Sequence, residues 1–323
     1  MTTDDMQDET RGPGAGRDRV PDARPLVVGE TLFDEMPDGS RVLGGAPFNV
    51  AWHLQAFGLR PLLITRVGDD PAGDEVVGAM AGWGMDTDGV QRDGARPTGR
   101  VTVDLAGGEP RYHILDDQAY DFIDRDPALA AAAGAATSIL YHGTLVQRNR
   151  VSAGTVGALR AHSGAPVFID VNLRDPWWKP AQVRAAVRRA TWVKLNESEL
   201  VRLTGPTPAS TGDERAAAAA DFRAVNGLRA VIMTLGADGA LIDDGGLTHA
   251  AAPPADIRVV DTVGAGDAFA AVSLLGISRR WQTAELLTRA LEFASAVCAV
   301  RGATTTDRRL YSALLDSWEG VSG

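Results

Sequence analysis

Short apolar runs recur along the chain, separated by longer amphipathic or alanine-rich stretches. Residues 26–29, 61–68, 139–142, 167–171, 192–195, 230–235 and 257–260 read as strands. Between them, residues 47–57, 73–83, 151–162, 181–190, 214–225 and 266–275 read as helices. The alanines at 216–220 are a helix-propensity signal and not a site. Residues 283–300 predict a long apolar helix, and 307–318 a terminal one. Strand and helix alternating in this way predict an α/β fold: a mostly parallel central sheet with helices on both faces, three layers in all.

One stretch breaks the pattern. Residues 98–123 alternate β-branched and polar positions around Ala106-Gly107-Gly108-Glu109-Pro110, which predicts an antiparallel hairpin. Residues 31–43 hold a second pair of short strands. Two placements are open: a small sheet of its own, serving as a lid that keeps water from a cleft, or an edge hairpin on the main sheet. Residues 1–24 are polar, charged and glycine-rich and read as a disordered tail, leaving 25–320 as one domain. No internal repeat is evident.

Composition narrows the function. The 323 residues are 45% hydrophobic and 23% charged, ordinary globular usage, with a net charge of −10. No basic run is present to release counterions from nucleic acid, so no nucleic-acid partner is expected. No apolar stretch reaches the roughly 18–20 residues of a membrane span, and the first 24 residues lack a signal-peptide core. Cys298 is the only cysteine, so no intrachain disulfide can form, and a cytoplasmic protein is expected. It lies in an apolar run without a cationic neighbour and reads as an inert thiol. The five histidines show no zinc-ligand spacing.

The stretch Asp261-Thr262-Val263-Gly264-Ala265-Gly266-Asp267-Ala268-Phe269 carries the chemistry. It is a glycine-rich turn between an apolar run and a helix, and a helix N-terminus offers free N–H groups and partial positive charge to an anion. Asp267 sits inside that turn, where bound phosphate repels a carboxylate. A general base that takes a proton from an attacking hydroxyl is one role that explains it. No Lys-Ser/Thr follows the glycines, which excludes a Walker loop. A dinucleotide fingerprint stays open, with Glu285 about 20 residues on, but Phe269 stands at its third glycine. A merely tight strand–helix turn is the third reading. Early in the chain, Gly44-Gly45-Ala46-Pro47-Phe48-Asn49 forms a second constellation. The glycines permit close backbone approach, Pro47 suits a first helical turn, and the Asn49 amide can bond a sugar hydroxyl. An ordinary loop before a helix is its bland alternative.

Taken together, these two motifs are the paired signature of the ribokinase (PfkB) family of sugar and nucleoside kinases, which the chain resembles from about residue 25 to 315. Gly68-Asp69-Asp70-Pro71-Ala72-Gly73 is similar to the family's Gly-x-Asp-x-x-Gly stretch, and Asp170-Val171-Asn172-Leu173-Arg174 to the Asp-x-Asn-x-Arg of its fructokinase and ketodeoxygluconate kinase branches. Asn196-Glu197-Ser198-Glu199 resembles its magnesium motif, and Thr234 to Ala240 its nucleotide-side Gly-x-x-Gly turn. The resemblance implies a ribokinase-like fold with a β-sheet lid formed by about 31–43 and 98–123. It also implies ATP and Mg²⁺ as cofactors, and a homodimer paired through the lid.

Residue by residue, the resemblance implies Asp267 as base and Gly264, Ala265 and Gly266 as the anion turn. Asp34, Gly45, Asn49 and Arg174 are implied on the sugar, and Asn172, Asn196, Thr234, Gly236 and Gly239 on the nucleotide side. Glu199 is implied to hold Mg²⁺ through water. Asp261 and Val263 are implied at a monovalent cation such as K⁺, although the loop Ala299-Val300-Arg301-Gly302-Ala303-Thr304 is shorter than the family's. Several of these residues also have plain alternatives. Asn196 with Glu199 is a capping box, Arg174 can bridge to Asp170 or Asp175, and Asp34 can be a solvated turn carboxylate. The paired Trp177 and Trp178 fit either an anchor or a pocket wall.

The expected reaction is transfer of the γ-phosphoryl group of ATP to a primary hydroxyl of a small sugar. Asp116-Asp117-Gln118-Ala119-Tyr120-Asp121 is similar to the fructokinase branch, so fructose is the expected substrate. Ribose, 2-keto-3-deoxygluconate and nucleosides are the alternatives within the family. A catalytically silent sugar- or nucleotide-binding regulator, and a dinucleotide-dependent oxidoreductase, are the readings outside it.

Overall fold

The computed structural model describes residues 23–104, 111–205, 211–255 and 257–320. The expected tail lies outside the described residues as far as residue 22, and so does the glycine turn of the 98–123 hairpin. The chain opens with β1 (Arg24–Val28), β2 (Leu32–Glu35), β3 (Arg41–Gly44), α1 (Ala46–Ala56), β4 (Leu62–Gly68), α2 (Pro71–Trp83) and β5 (Val90–Asp93). Then come β6 (Gly99–Asp104), β7 (Arg111–Ile114), α3 (Arg125–Ala132), β8 (Thr137–Gly143), α4 (Arg150–Ser163), β9 (Val167–Asp170), α5 (Pro180–Val187), β10 (Trp192–Asn196) and α6 (Glu197–Thr204). The last third holds α7 (Gly212–Asn226), β11 (Ala230–Thr234), β12 (Ala240–Asp243), β13 (Thr248–Ala251), α8 (Ala265–Arg279), α9 (Thr283–Cys298) and α10 (Arg308–Gly320).

Nine strands form the large sheet, in the order β13-β12-β11-β10-β9-β8-β1-β4-β5. All neighbours from β11 to β5 are parallel, and β12 and β13 extend one edge antiparallel. Alternate side chains of a strand point to opposite faces. Val27, Leu63 and Tyr141 accordingly join the apolar layer that includes residues of α1, α8 and α9. Leu26, Val28, Ile64 and Leu140 join the layer that includes residues of α4, α5 and α7. Three layers and a ribokinase-like α/β fold result, as expected. Helix α8 is buried from Ala268 to Gly276 and packs against α1 and α9, which suits its small and apolar residues. Among the described residues no helix is long and apolar enough to cross a membrane.

The two extra strand pairs meet in one small sheet, β3-β2-β6-β7, with β2 parallel to β6. The edge-hairpin placement is thereby excluded. Residues 257–260 do not form the expected strand. Val259 and Val260 are 60% and 54% exposed, and the Val260 N–H bonds the Cys298 carbonyl at the end of α9 instead of a strand. β-branched residues favour an extended chain, but a strand also needs a partner edge, and this run pairs with none among the described residues. The helix after the turn starts at Ala265 and runs past residue 275 to Arg279.

Candidate active site

The carboxyl ends of β1, β9, β10 and β11 open on a cavity of about 600 Å³ whose lining includes Glu30, Asp170, Lys194, Asn196 and Thr234. Ligand clefts of open parallel sheets lie at this end. The small sheet supplies an apolar wall through Leu32, Val101 and Ile114. Gly264, Gly266 and Asp267 close the cavity from the start of α8, and Gly45 and Asn49 from the start of α1. The two sequence motifs, more than two hundred residues apart, thus share one cleft.

Asn49 donates from Nδ2 to Oδ2 of Asp267 at 2.7 Å. Burial pushes the Asp267 carboxyl up to about 7, against the lowering effect of that hydrogen bond. Gly264 caps α8 with φ 81°, and a Cβ there would lie 2.4 Å from the Ala303 Cα, so only glycine fits the turn. Gly45 is under a similar constraint: at φ 105°, an added Cβ would lie 2.6 Å from the Glu30 carbonyl oxygen. The first N–H groups of α8 lack intrahelical partners and sit beside a carboxylate at the proton affinity a base needs near neutral pH.

Asp34 and Arg174 line the same cavity. Burial raises the Asp34 carboxyl to about 6, with Arg174 opposing. Arg174 makes no ion pair among the described residues, because Asp170 is bound to Lys194 and Asp175 to Arg202. Its guanidinium is therefore available to a ligand. Asn172 lines the cavity while its backbone is held by Thr144. Trp177 packs over Arg148 with Leu32 and Val101, and Trp178 stacks with Arg202, so neither lines the cavity.

Asn196 and Glu199 do form the capping box: Asn196 Oδ1 accepts from the Glu199 N–H, and Glu199 Oε2 from the Asn196 N–H, both at 2.9 Å. The second Glu199 oxygen accepts from the Leu173 N–H at 3.0 Å. No group of three or more His, Cys, Asp or Glu among the described residues could hold a metal. The carboxylate fits an ion that arrives with ATP and keeps its own waters, and not a protein cage. Asp261 spends one oxygen on the Val263 N–H and the other on the Gly302 N–H, clasping the turn to the 302 loop. Gly236 and Gly239 lie in the turn after β11 and do not line this cavity. The 68–73 stretch is structural: Asp70 caps α2 and binds Thr98 at the foot of the small sheet.

Two charged residues escaped the sequence reading. Lys194 pairs with Asp170 at 2.7 Å, and its Nζ lies 3.5 Å from where a Gly266 Cβ would sit. Burial works against its charge, but the carboxylates of Asp170, Glu199 and Asp267 reverse this and raise it above its ordinary value. It is a fixed cation under the anion turn. A single lysine inside the apolar run Trp192–Asn196 was the available signal. Glu30 is 3% exposed and lines the cavity, and its Oε2 has no hydrogen-bond partner. Burial, assisted by the charge of Asp267, raises it to about 7.

A three-layer α/β fold with a small-sheet wall, a glycine turn at a helix start and a buried carboxylate beside it is the arrangement of an ATP-dependent sugar kinase of the family that the chain matches. The pattern of the pfkB family carbohydrate kinase matches residues 21–309, and the chain belongs to that family. It is 32% identical to a fructokinase of Klebsiella pneumoniae over 266 residues, covering 78% of this chain and 83% of the relative. It superposes on a sugar kinase of Pyrococcus horikoshii solved with ATP at a TM-score of 0.70, with 25% identity and coverage of 86% of this chain and 93% of that one. A double mutant of the Vibrio cholerae O395 fructokinase, solved with fructose, ADP and potassium, gives 0.74 at 27% identity, covering 91% and 99%.

Proposed function

We propose that the chain phosphorylates a primary hydroxyl of fructose or a closely similar neutral sugar, with Asp267 as general base. The observation that carries this reading is the Asn49–Asp267 hydrogen bond, which ties the sugar-side helix to the anion turn in one cleft. The substrate hydroxyl gives its proton to Asp267 as its oxygen attacks the γ-phosphorus of ATP, and the bond from that phosphorus to the bridging oxygen breaks to release ADP. The Gly264-Ala265-Gly266 amides and Lys194 offset charge on the phosphoryl oxygens. Asp34, Asn49 and Arg174 orient the sugar, and the walls of the small sheet exclude water. The nucleotide extends toward Asn172, Asn196, Thr234 and the 236–239 turn. Glu199 would hold Mg²⁺ through water, and the ion would supply neutralisation of phosphate charge there. A monovalent cation near Asp261 and Val263 belongs to the same reading and is supported by the potassium in the Vibrio relative.

Fructose is favoured by the similarity to fructokinases and by the acidic lining. Six acidic residues line the cavity against two cations, Arg174 and Lys194, and Lys194 is already paired with Asp170, which disfavours a sugar acid. The test is turnover of magnesium-ATP with fructose, ribose, 2-keto-3-deoxygluconate and adenosine. Fructose is expected to give the highest kcat/KM. A higher value for any of the other three would overturn the fructose assignment, and no turnover with any of them would overturn the kinase reading.

A further inference from the structure

We propose that His53 is a positioning residue for phosphoryl transfer, holding the loop against which the Gly264 turn rests. His53 stands one helical turn after Asn49 on α1, so the two share a face. Asn49 reaches Asp267 directly. The His53 imidazole is fully buried, with Nε2 3.1 Å from the Ala303 carbonyl and Nδ1 3.0 Å from the Tyr311 hydroxyl. A carbonyl only accepts, so Nε2 carries the proton and Nδ1 accepts from Tyr311.

Ala303 is buried in turn and is the residue that a Gly264 Cβ would strike at 2.4 Å, so no space separates the loop from the turn. The loop has three further ties, the longest from the Tyr311 hydroxyl to the Thr305 carbonyl at 3.5 Å. Trp52 Nε1 donates to the Thr305 carbonyl at 3.0 Å, and the Gly302 N–H donates to Asp261 at 3.0 Å. Helix α1 therefore fixes the catalytic turn from two sides: Asn49 holds the carboxylate, and His53, with Trp52, holds the surface behind the amides. Releasing the second contact lets the amides shift against a base that stays in place. Small misplacements of reacting groups cost large factors in rate. Sugar contacts at Gly45, Asn49 and Asp34 do not pass through the loop, so sugar affinity should survive.

The inference rests on the Asp267-centred reading, and its test compares four variants with whichever sugar is turned over. His53→Phe keeps a ring but loses the donor. It should lower kcat at least tenfold with the sugar KM within twofold. His53→Gln can still donate to Ala303 and should return kcat to within threefold of wild type. Tyr311→Phe loses the Nδ1 partner and a 3.5 Å contact with the Thr305 carbonyl but keeps the His53–Ala303 bond, and should lower kcat by no more than threefold. Wild-type kcat in His53→Phe, or equal losses in the Phe and Gln variants, would overturn the proposal. If His53→Phe does not fold, Trp52→Phe decides: a threefold or greater loss of kcat at unchanged sugar KM supports the loop's role, and an unchanged kcat overturns it. Wild-type turnover in Asp267→Asn would remove the base assignment alone, because the Phe-to-Gln comparison does not depend on which group accepts the proton.

Discussion

Asp267 is held by one hydrogen bond and raised by its surroundings, and both features make predictions. Exchanging its carboxylate for an amide in Asp267→Asn removes the proposed proton acceptor and keeps the size. Turnover should fall by about 10²–10⁴, while fructose affinity measured by calorimetry changes little. A base must be ionised to act. With the carboxyl raised to about 7, the active form fills as pH rises through that value and empties below it. The kcat/KM of the wild-type enzyme, which reports ionisations of the free enzyme, should therefore drop with falling pH along a one-proton limb centred near neutrality, and a flat profile between pH 5 and 8 would contradict the assignment. Asn49→Asp sharpens the test. It replaces the stabilising donor by a second carboxyl, and like charges disfavour ionisation. The acid limb should move upward by about one pH unit.

The elements show why the site needs these residues. Gly264→Ala would meet Ala303 and would force a side chain into a left-handed backbone, at a cost of about 1–3 kcal/mol. A lower urea midpoint and a reduced kcat are expected together. Asn196→Ala removes the α6 cap and should cost about 1 kcal/mol in the same titration. Local signals of this kind are what the sequence carries well. Glycine turns, caps and apolar periods located β1, β4, β8 to β11 and most of the helices, and they marked Asp267, Asn49 and Arg174. Lys194 and Glu30 were missed because their meaning depends on partners from other strands. Lys194 meets Asp170 only through the register of β9 and β10, and Glu30 looks like a charged residue leaving a strand. The four-residue β5, β12 and β13 are too short for a clear period. The valines at 259–260 misled for the opposite reason: their strand propensity is strong, but the sheet already ends at β13.

At the scale of the whole molecule, the cavity has walls from both sheets and from two helix starts, so a ligand that fills it ties together parts far apart in sequence. Anything that binds only the folded state stabilises it by about 2.7 kcal/mol at a hundred times its dissociation constant. For a domain of this length that corresponds to an upward shift in melting temperature of about 4 °C. The nucleotide and the sugar touch different walls in the proposed arrangement, the nucleotide on β10 and β11 and the sugar on β1, β2 and α1. Their shifts should therefore separate by mutation. Wild-type protein should respond to fructose and to ADP each alone. Asp34→Asn removes a carboxylate from the sugar wall and should abolish most of the fructose shift while leaving the ADP shift intact. Loss of both shifts would mean that Asp34 supports the fold more than the sugar. Retention of the fructose shift would move the sugar away from β2, and with it the small sheet's part in specificity.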